Sequence, residues 1–290
     1  MCDHCGCGEG AATTLLNLQT GKETIMRHRH DHPHDHDHHH DHPHDHDHDH
    51  PHDHDHHHHH HAHATSPGAV VELETRVLAK NDALARENRA WFTGREILAL
   101  NLVSSPGAGK TTLLERTIRD LAAELRLFVI EGDQATANDG ARIRAAGAPA
   151  VQVNTGTGCH LEADMVARGL QELRPSAGSI VMIENVGNLV CPALFDLGER
   201  AKVVILSVTE GEDKPLKYPH MFKAAELMIL NKIDLLPHVD FDVSRAIANA
   251  AEVNPAISVL QLSARSGEGL EGWYVWLRRE AANVREALFN

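Results

Sequence analysis

No apolar run in this 290-residue chain approaches the ~20 residues needed to span a membrane. No apolar stretch at the N-terminus resembles a signal-peptide core. Both absences predict a cytoplasmic protein with no membrane partner. There is also no basic excess: the net charge is −14, and residues 28 to 63 alone account for −8 of it through nine Asp against one Arg. Acidity is therefore a property of that segment, and nothing supports nucleic-acid binding. Cysteine is scarce, at five residues, and in a reducing compartment these are metal-binding or reactive before they are disulfide-bonded.

What is present begins with Met1-Cys2-Asp3-His4-Cys5-Gly6-Cys7-Gly8. Cys2, Cys5 and Cys7 place three soft thiolates beside a terminal amine, a donor set that suits square-planar Ni²⁺ or tetrahedral Zn²⁺. We take residues 1–8 as a metal-binding motif and 9–27 as a linker or weak helix. From 28 to 63 the chain is nearly a two-letter polymer of His and Asp, holding 22 of the 26 His. With nothing apolar to bury, this tract predicts disorder, and its imidazoles, mostly neutral at pH 7, predict loose binding of several metal ions. The run from His56 to His61 lies inside that longer tract, which argues against an expression tag. Residues 64–95 read as a linker followed by a helix with Val70, Leu73, Val77, Leu84 and Trp91 on one stripe, and 96–290 as one globular domain.

The domain is organised around Ser104-Ser105-Pro106-Gly107-Ala108-Gly109-Lys110-Thr111-Thr112. It follows an apolar strand, Ile97 to Val103, and precedes a helix whose Leu113, Leu114, Thr117, Ile118 and Leu121 recur at helical spacing. Strand, glycine-rich turn and helix form a phosphate cradle: backbone N–H groups from Gly107 to Thr112 turn inward, Lys110 reaches the β/γ-phosphates, and the Thr111 hydroxyl ligates Mg²⁺. Ser104 stands where the general pattern has Gly.

A second strand, Leu127 to Ile130, ends in Glu131-Gly132-Asp133. Asp133 is the chosen Mg²⁺ ligand or water-orienting group and Asp139 its reserve, although Asp139 could equally cap the helix behind it. Strand three, Ala150 to Val153, runs into Gly158-Cys159-His160 before a helix expected near Leu161, whose N-terminus would favour the Cys159 thiolate. Strand four, Ile180 to Ile183, leads through Glu184 to Cys191. If both loops lie on the nucleotide edge of a parallel sheet, Cys159, His160 and Cys191 converge on one metal; otherwise they are two buried thiols and a surface His.

Further strands at Lys202 to Ser207 and Leu227 to Leu230 follow, the latter ending in Asn231-Lys232-Ile233-Asp234. A carboxylate there accepts both the N1–H and the N2 amino group of guanine, which selects GTP over ATP and disfavours an ATP-driven partitioning ATPase. A last strand, Ala256 to Leu262, delivers Ser263 and Ala264, whose backbone N–H is expected to meet the guanine oxygen. The fold class is α/β: a P-loop NTPase with a mostly parallel sheet and helices on both faces, preceded by a disordered metal-binding N-terminal region.

Together, Cys2, Cys5-Gly6-Cys7, Ser105 to Thr111, Glu131-Gly132-Asp133, Gly158-Cys159-His160, Glu184 to Pro192 and Asn231 to Asp234 resemble the HypB family of GTPases, which assist nickel insertion into [NiFe] hydrogenase. The resemblance runs from about Glu96 to the C-terminus. It implies a tight nickel site on Cys2, Cys5, Cys7 and the terminal amine, and a weaker nucleotide-linked nickel or zinc site on Cys159, His160 and Cys191. It further implies a GTP-linked homodimer, a HypA-type accessory protein and the hydrogenase large-subunit precursor as partners. It leaves the Mg²⁺ and catalytic carboxylate roles divided among Asp133, Asp139 and Glu184, with Lys110 the catalytic lysine on the phosphates. With no arginine finger evident, slow, switch-like hydrolysis is expected. The alternatives are a histidine-rich nickel or zinc storage protein and a GTPase for urease.

Overall fold

The computed structural model describes residues 13–26, 67–133, 138–156 and 158–286; the Cys2, Cys5 and Cys7 motif and the 28–63 tract lie outside them. Nine strands occur among these residues: β1 Thr14–Asn17, β2 Glu23–Ile25, β3 Leu98–Ser104, β4 Leu127–Asp133, β5 Ala150–Asn154, β6 Ile180–Glu184, β7 Ala201–Ser207, β8 Leu227–Asn231 and β9 Ser258–Gln261. The helices are α1 Pro67–Thr93, α2 Lys110–Leu121, α3 Asn138–Ala146, α4 Ala163–Leu173, α5 Cys191–Leu194, α6 Lys214–Lys217, α7 Pro219–Ala224, α8 Val243–Val253 and α9 Leu270–Glu286.

One sheet runs β2-β1-β5-β4-β6-β3-β7-β8-β9. From β5 to β9 every pairing is parallel, so strand ends carrying function all emerge on one edge. β3, the strand feeding the glycine-rich loop, is buried along its whole length, as a central parallel strand covered on both faces must be. On one face Leu98, Leu100 and Leu102 pack with Leu113, Leu114, Ile118 and Leu121 of α2 and with Trp273 and Leu277 of α9. On the other, Ile130, Val151 and Ile183 pack with Phe92 of α1 and Val166 and Leu170 of α4. The Trp273 indole donates to Thr117 Oγ1 over 2.9 Å, locking α9 onto α2.

Two expectations are corrected. Residues 9 to 27 are not a linker or helix throughout: β1 and β2 form a hairpin whose first strand pairs antiparallel with β5. Asn17 Oδ1 accepts the backbone N–H groups of Gln19 and Thr20, Gly21 turns the chain with φ 72°, and Leu15 and Leu18 bury on opposite faces of the sheet. Helix α1, in turn, follows the expected stripe only in part: Leu84 and Trp91 are half-buried, with Trp91 packed on the core, and the side chains of Val70 and Leu73 lie outside the described ones. Val77 is exposed, and the inward face is Asn81, Ala85, Asn88 and Phe92. Polar residues mask that face in the sequence because they serve backbone groups: Asn81 Oδ1 accepts the Ala163 N–H, and Asn88 Nδ2 donates to the carbonyls of Ala163 and Leu197.

Candidate nucleotide and metal site

The loop between β3 and α2 wraps a cavity of about 500 Å³ at the carboxyl edge of the sheet. Gly107 and Gly109 hold φ values of 74° and 100°, backbone that L side chains rarely adopt. At Gly109 a Cβ would also lie 2.5 Å from Asn231 Nδ2, so glycine is required twice over. The buried Lys110 ammonium donates to Ser104 Oγ at 2.8 Å, and that hydroxyl donates to the Ser105 carbonyl at 2.6 Å. The Ser at the departure from the general pattern is thus the resting partner of the loop lysine. Burial pushes the Lys110 pKa down, opposed by the Glu184 carboxylate.

Thr111 Oγ1 donates to Glu184 Oε1 at 2.7 Å, while buried Glu184 Oε2 has no hydrogen-bond partner. Glu131 Oε2 is similarly orphaned. Burial first, and then the neighbouring Glu184 and Asp133, raise the Glu131 pKa to about 9, and burial also raises that of Glu184. Asp133, half-buried at the end of β4, and Asp139, in the first turn of α3, line the same cavity. Acidic oxygens beside a phosphate cradle are costly unless a cation joins them. Thr111, Asp133 and Glu184 therefore present an oxygen set that fits Mg²⁺. The sequence offered Glu131 in the Glu131-Gly132-Asp133 strand end but gave no reason to prefer it to Asp133; its burial beside Glu184 required the fold.

At the far side of the loop, Asn231 Nδ2 donates to the Ala108 carbonyl at 2.9 Å and Lys232 Nζ to the Gly107 carbonyl at 2.7 Å. These bonds tie the end of β8 to the phosphate loop. Lys232 itself sits at φ 64°. Asp234 Oδ1 is buried without a hydrogen-bond partner, an acceptor aimed at no protein donor. The Ala264 N–H, expected to meet a guanine oxygen, donates here to Asn231 Oδ1 at 3.1 Å, which places it beside the Asn231-Lys232-Ile233-Asp234 turn. Ser263, also buried, closes its own turn by accepting the Ser266 N–H.

Cys159, His160 and Cys191 do converge: one ligand atom from each lies within 4.8 Å of the others. Cys159 Sγ is 2.8 Å from Cys191 Sγ and 3.6 Å from His160 Nδ1. A tetrahedral ion with Zn-like bond lengths needs about 3.8 Å between sulfurs and about 3.6 Å between sulfur and nitrogen, so the sulfurs must part by about 1 Å. The His160 ring stacks on Phe195 with centroids 3.8 Å apart, and burial lowers its pKa to about 4, which keeps the imidazole neutral and ligand-competent. The helix argument for Cys159 fails, because α4 starts at Ala163 behind an Asn81 cap. Cys159 sits in the preceding loop.

The two sites touch through Asn185, next to Glu184. Its Oδ1 accepts the N–H groups of Leu161 at 3.1 Å and Val186 at 3.0 Å, and its Nδ2 donates to Asn101 Oδ1 at 3.2 Å. A Cβ on Gly187 would lie 3.1 Å from Pro106 Cα. One loop, 184 to 191, therefore runs from the Thr111 hydroxyl along the phosphate loop to the metal-competent thiols. Among the described residues, no helix is long and apolar enough to cross a membrane.

The family profile described as CobW/HypB/UreG, nucleotide-binding domain, matches residues 98–261. The hydrogenase maturation factor HypB of Rhizobium leguminosarum bv. viciae is 62% identical over 213 residues, covering 73% of this chain and 71% of that one. The protein of the same name from Escherichia coli K12 is 60% identical over 211 residues, covering 73% of each. The crystal structure of HypB from Helicobacter pylori in complex with nickel superposes with a TM-score of 0.66 at 37% identity, covering 70% of this chain and 96% of that one.

Proposed function

Because the chain belongs to the HypB family within the CobW/HypB/UreG nucleotide-binding domains, we propose that it is a GTP-hydrolysing nickel metallochaperone serving the [NiFe] hydrogenase large subunit. The observation that carries this reading is the shared loop. Glu184 touches Thr111 at its start, and Cys191, at its end, faces Cys159 and His160.

GTP lies with its phosphates in the cradle from Gly107 to Thr112 and its base against Asn231, Lys232 and Asp234. The orphaned Asp234 Oδ1 supports guanine, which offers paired donors where adenine does not. Thr111, Asp133 and Glu184 would hold Mg²⁺, which supplies charge neutralisation to the phosphates. Lys110 leaves Ser104 for the β/γ-phosphates, and Asp133 or Asp139 orients the attacking water. Turnover is slow and switch-like. Cleavage removes the negative charge at the Thr111 end of the loop, and the grip of Cys159, His160 and Cys191 on Ni²⁺, or on Zn²⁺ in its place, changes with it.

Cys2, Cys5 and Cys7 receive nickel, and residues 28 to 63 buffer it. In the cytoplasm, a HypA-type accessory protein and the large-subunit precursor are the partners. Exposed Val190 and Leu194, flanking Cys191, support a GTP-linked homodimer across the metal site. In cells lacking the chromosomal copy and grown at limiting nickel, the parental chain should restore hydrogenase activity, whereas Lys110→Ala and Cys191→Ala should not. Full restoration by either variant overturns the proposal.

A further inference from the structure

Resting on the GTP-site reading above, we propose that Arg142 is a phosphate-contacting guanidinium of that site, supplied by the same chain and held in reserve by Glu115 and Asp139. Arg142 lies on α3, thirty residues beyond the phosphate loop, yet it lines the same cavity. Its Nη2 donates to Glu115 Oε2 at 2.8 Å and to Thr112 Oγ1 at 3.2 Å, and its Nη1 donates to Asp139 Oδ1 at 3.1 Å. Thr112 belongs to the first turn of α2, where backbone N–H groups and the helix dipole gather phosphate. The guanidinium is therefore already at the phosphate end of the cavity.

Cavity charge supports the assignment. Three cationic side chains line it, Lys110, Arg142 and Lys232, together with Glu131, Asp133, Asp139 and Glu184, and burial favours the protonated form of both glutamates. Lys110 moves from Ser104 to the β/γ-phosphates and Lys232 holds the Gly107 carbonyl, so Arg142 is the fork-shaped donor at the Thr112 end of the cavity, once it exchanges its pairs with Glu115 and Asp139 for phosphate oxygens. A planar guanidinium suits phosphate oxygens in pairs. Its side chain and that of Asp139 are 43% and 41% exposed, so that ion pair is weak and exchangeable. A bound triphosphate competes for the fork better than a diphosphate does, because it adds charge on the reacting phosphoryl group.

In hydrolysis, the water oxygen bonds to the γ-phosphorus as the bond to the β-γ bridging oxygen breaks, and the water proton leaves on the released phosphate. Arg142 would neutralise the charge carried through that exchange. The resting pairs with Glu115 and Asp139 then explain slow turnover without a missing arginine.

The test uses the full-length chain with GDP, a non-hydrolysable GTP analogue and GTP as probes. Arg142→Ala should lower the single-turnover hydrolysis rate about 100-fold, with GDP affinity held within threefold and analogue affinity reduced more than that. Added guanidinium ion at millimolar concentration should restore part of the Arg142→Ala rate, which a bracing role between α2 and α3 would not allow. Glu115→Gln, which frees the fork, should raise the rate. A hydrolysis rate within twofold of the parental value overturns the proposal. So does an equal loss of GDP and analogue binding that tracks a lower melting temperature. If Arg142→Ala fails to fold, Arg142→Lys decides: a rate within twofold of parental overturns the fork role, and a large loss with GDP binding intact supports it. Lys110→Ala keeps the two readings apart, since unaltered binding of both nucleotides by that variant refutes the GTP site itself, whatever Arg142 does.

Discussion

Asn185→Ala should separate nucleotide binding from metal binding while leaving both sites in place. The side chain is buried, and its loss strips two buried N–H donors, Leu161 and Val186, of their acceptor. Each such orphan costs about 1–3 kcal/mol, so the variant should lose about 3 kcal/mol of folding stability. The bond to Leu161 holds the Cys159-His160 loop to the loop that starts at Glu184. Coupling between two sites is typically about 1–3 kcal/mol, or roughly 5- to 150-fold in affinity, and this link should carry most of it. Ni²⁺ affinity measured by chelator competition, with GDP and with a non-hydrolysable GTP analogue, should differ clearly between nucleotides in the parental chain and by less than twofold in Asn185→Ala. Asn101→Ala is the control: it removes the partner of Asn185 Nδ2 but leaves the Leu161 bond, so it should lose stability and keep the nucleotide effect. A full nucleotide effect in Asn185→Ala refutes the shared-loop reasoning.

Asp234→Asn replaces an acceptor pair with an amide that donates, so GTP affinity should fall at least 100-fold and XTP, with its second carbonyl, should gain; equal loss of both nucleotides in a binding titration contradicts the base assignment. Glu131 titrates near 9 when folded against 4.5 when exposed. Between those values the folded chain holds a proton that the unfolded chain has lost, so this group's contribution to stability is complete below pH 4.5 and disappears as pH rises toward 9. Urea midpoints of the metal- and nucleotide-free chain at pH 6 and 8.5 should show that decline, and Glu131→Gln should flatten it; an unchanged slope in the variant refutes the assignment. Deleting residues 28 to 63 should remove most loosely bound nickel while leaving GTP turnover within twofold, as read by equilibrium dialysis and phosphate release.

The parallel sheet was legible because its strands are continuous apolar runs bounded by turn signals, and each chemically suggestive loop falls at the carboxyl end of one of them. Other features depended on distant partners. β1 has four residues and exists as a strand by pairing with β5, so local periodicity over Leu15, Leu16 and Leu18 could not distinguish it from a weak helix. The inward face of α1 was hidden by Asn81 and Asn88, polar residues buried because they satisfy backbone groups more than seventy residues away. Cys159, His160 and Cys191 were suggested by residue type, while the sulfur spacing and the intervening Asn185 required the fold. Arg142 carried one usable signal, its place four residues into the helix behind Glu131-Gly132-Asp133. A sequence alone does not say that this turn of helix faces the phosphate loop.

The most direct test of nucleotide-controlled metal handling is a Ni²⁺ titration of the whole chain with and without a non-hydrolysable GTP analogue, run in parallel on Cys159→Ala. The N-terminal thiols and the His/Asp tract contribute equally to both proteins and cancel in the comparison. The parental chain should contain a class of sites whose affinity changes when the analogue is present, and Cys159→Ala should lack it. A metal response in the parental chain that is the same with and without the analogue contradicts the account.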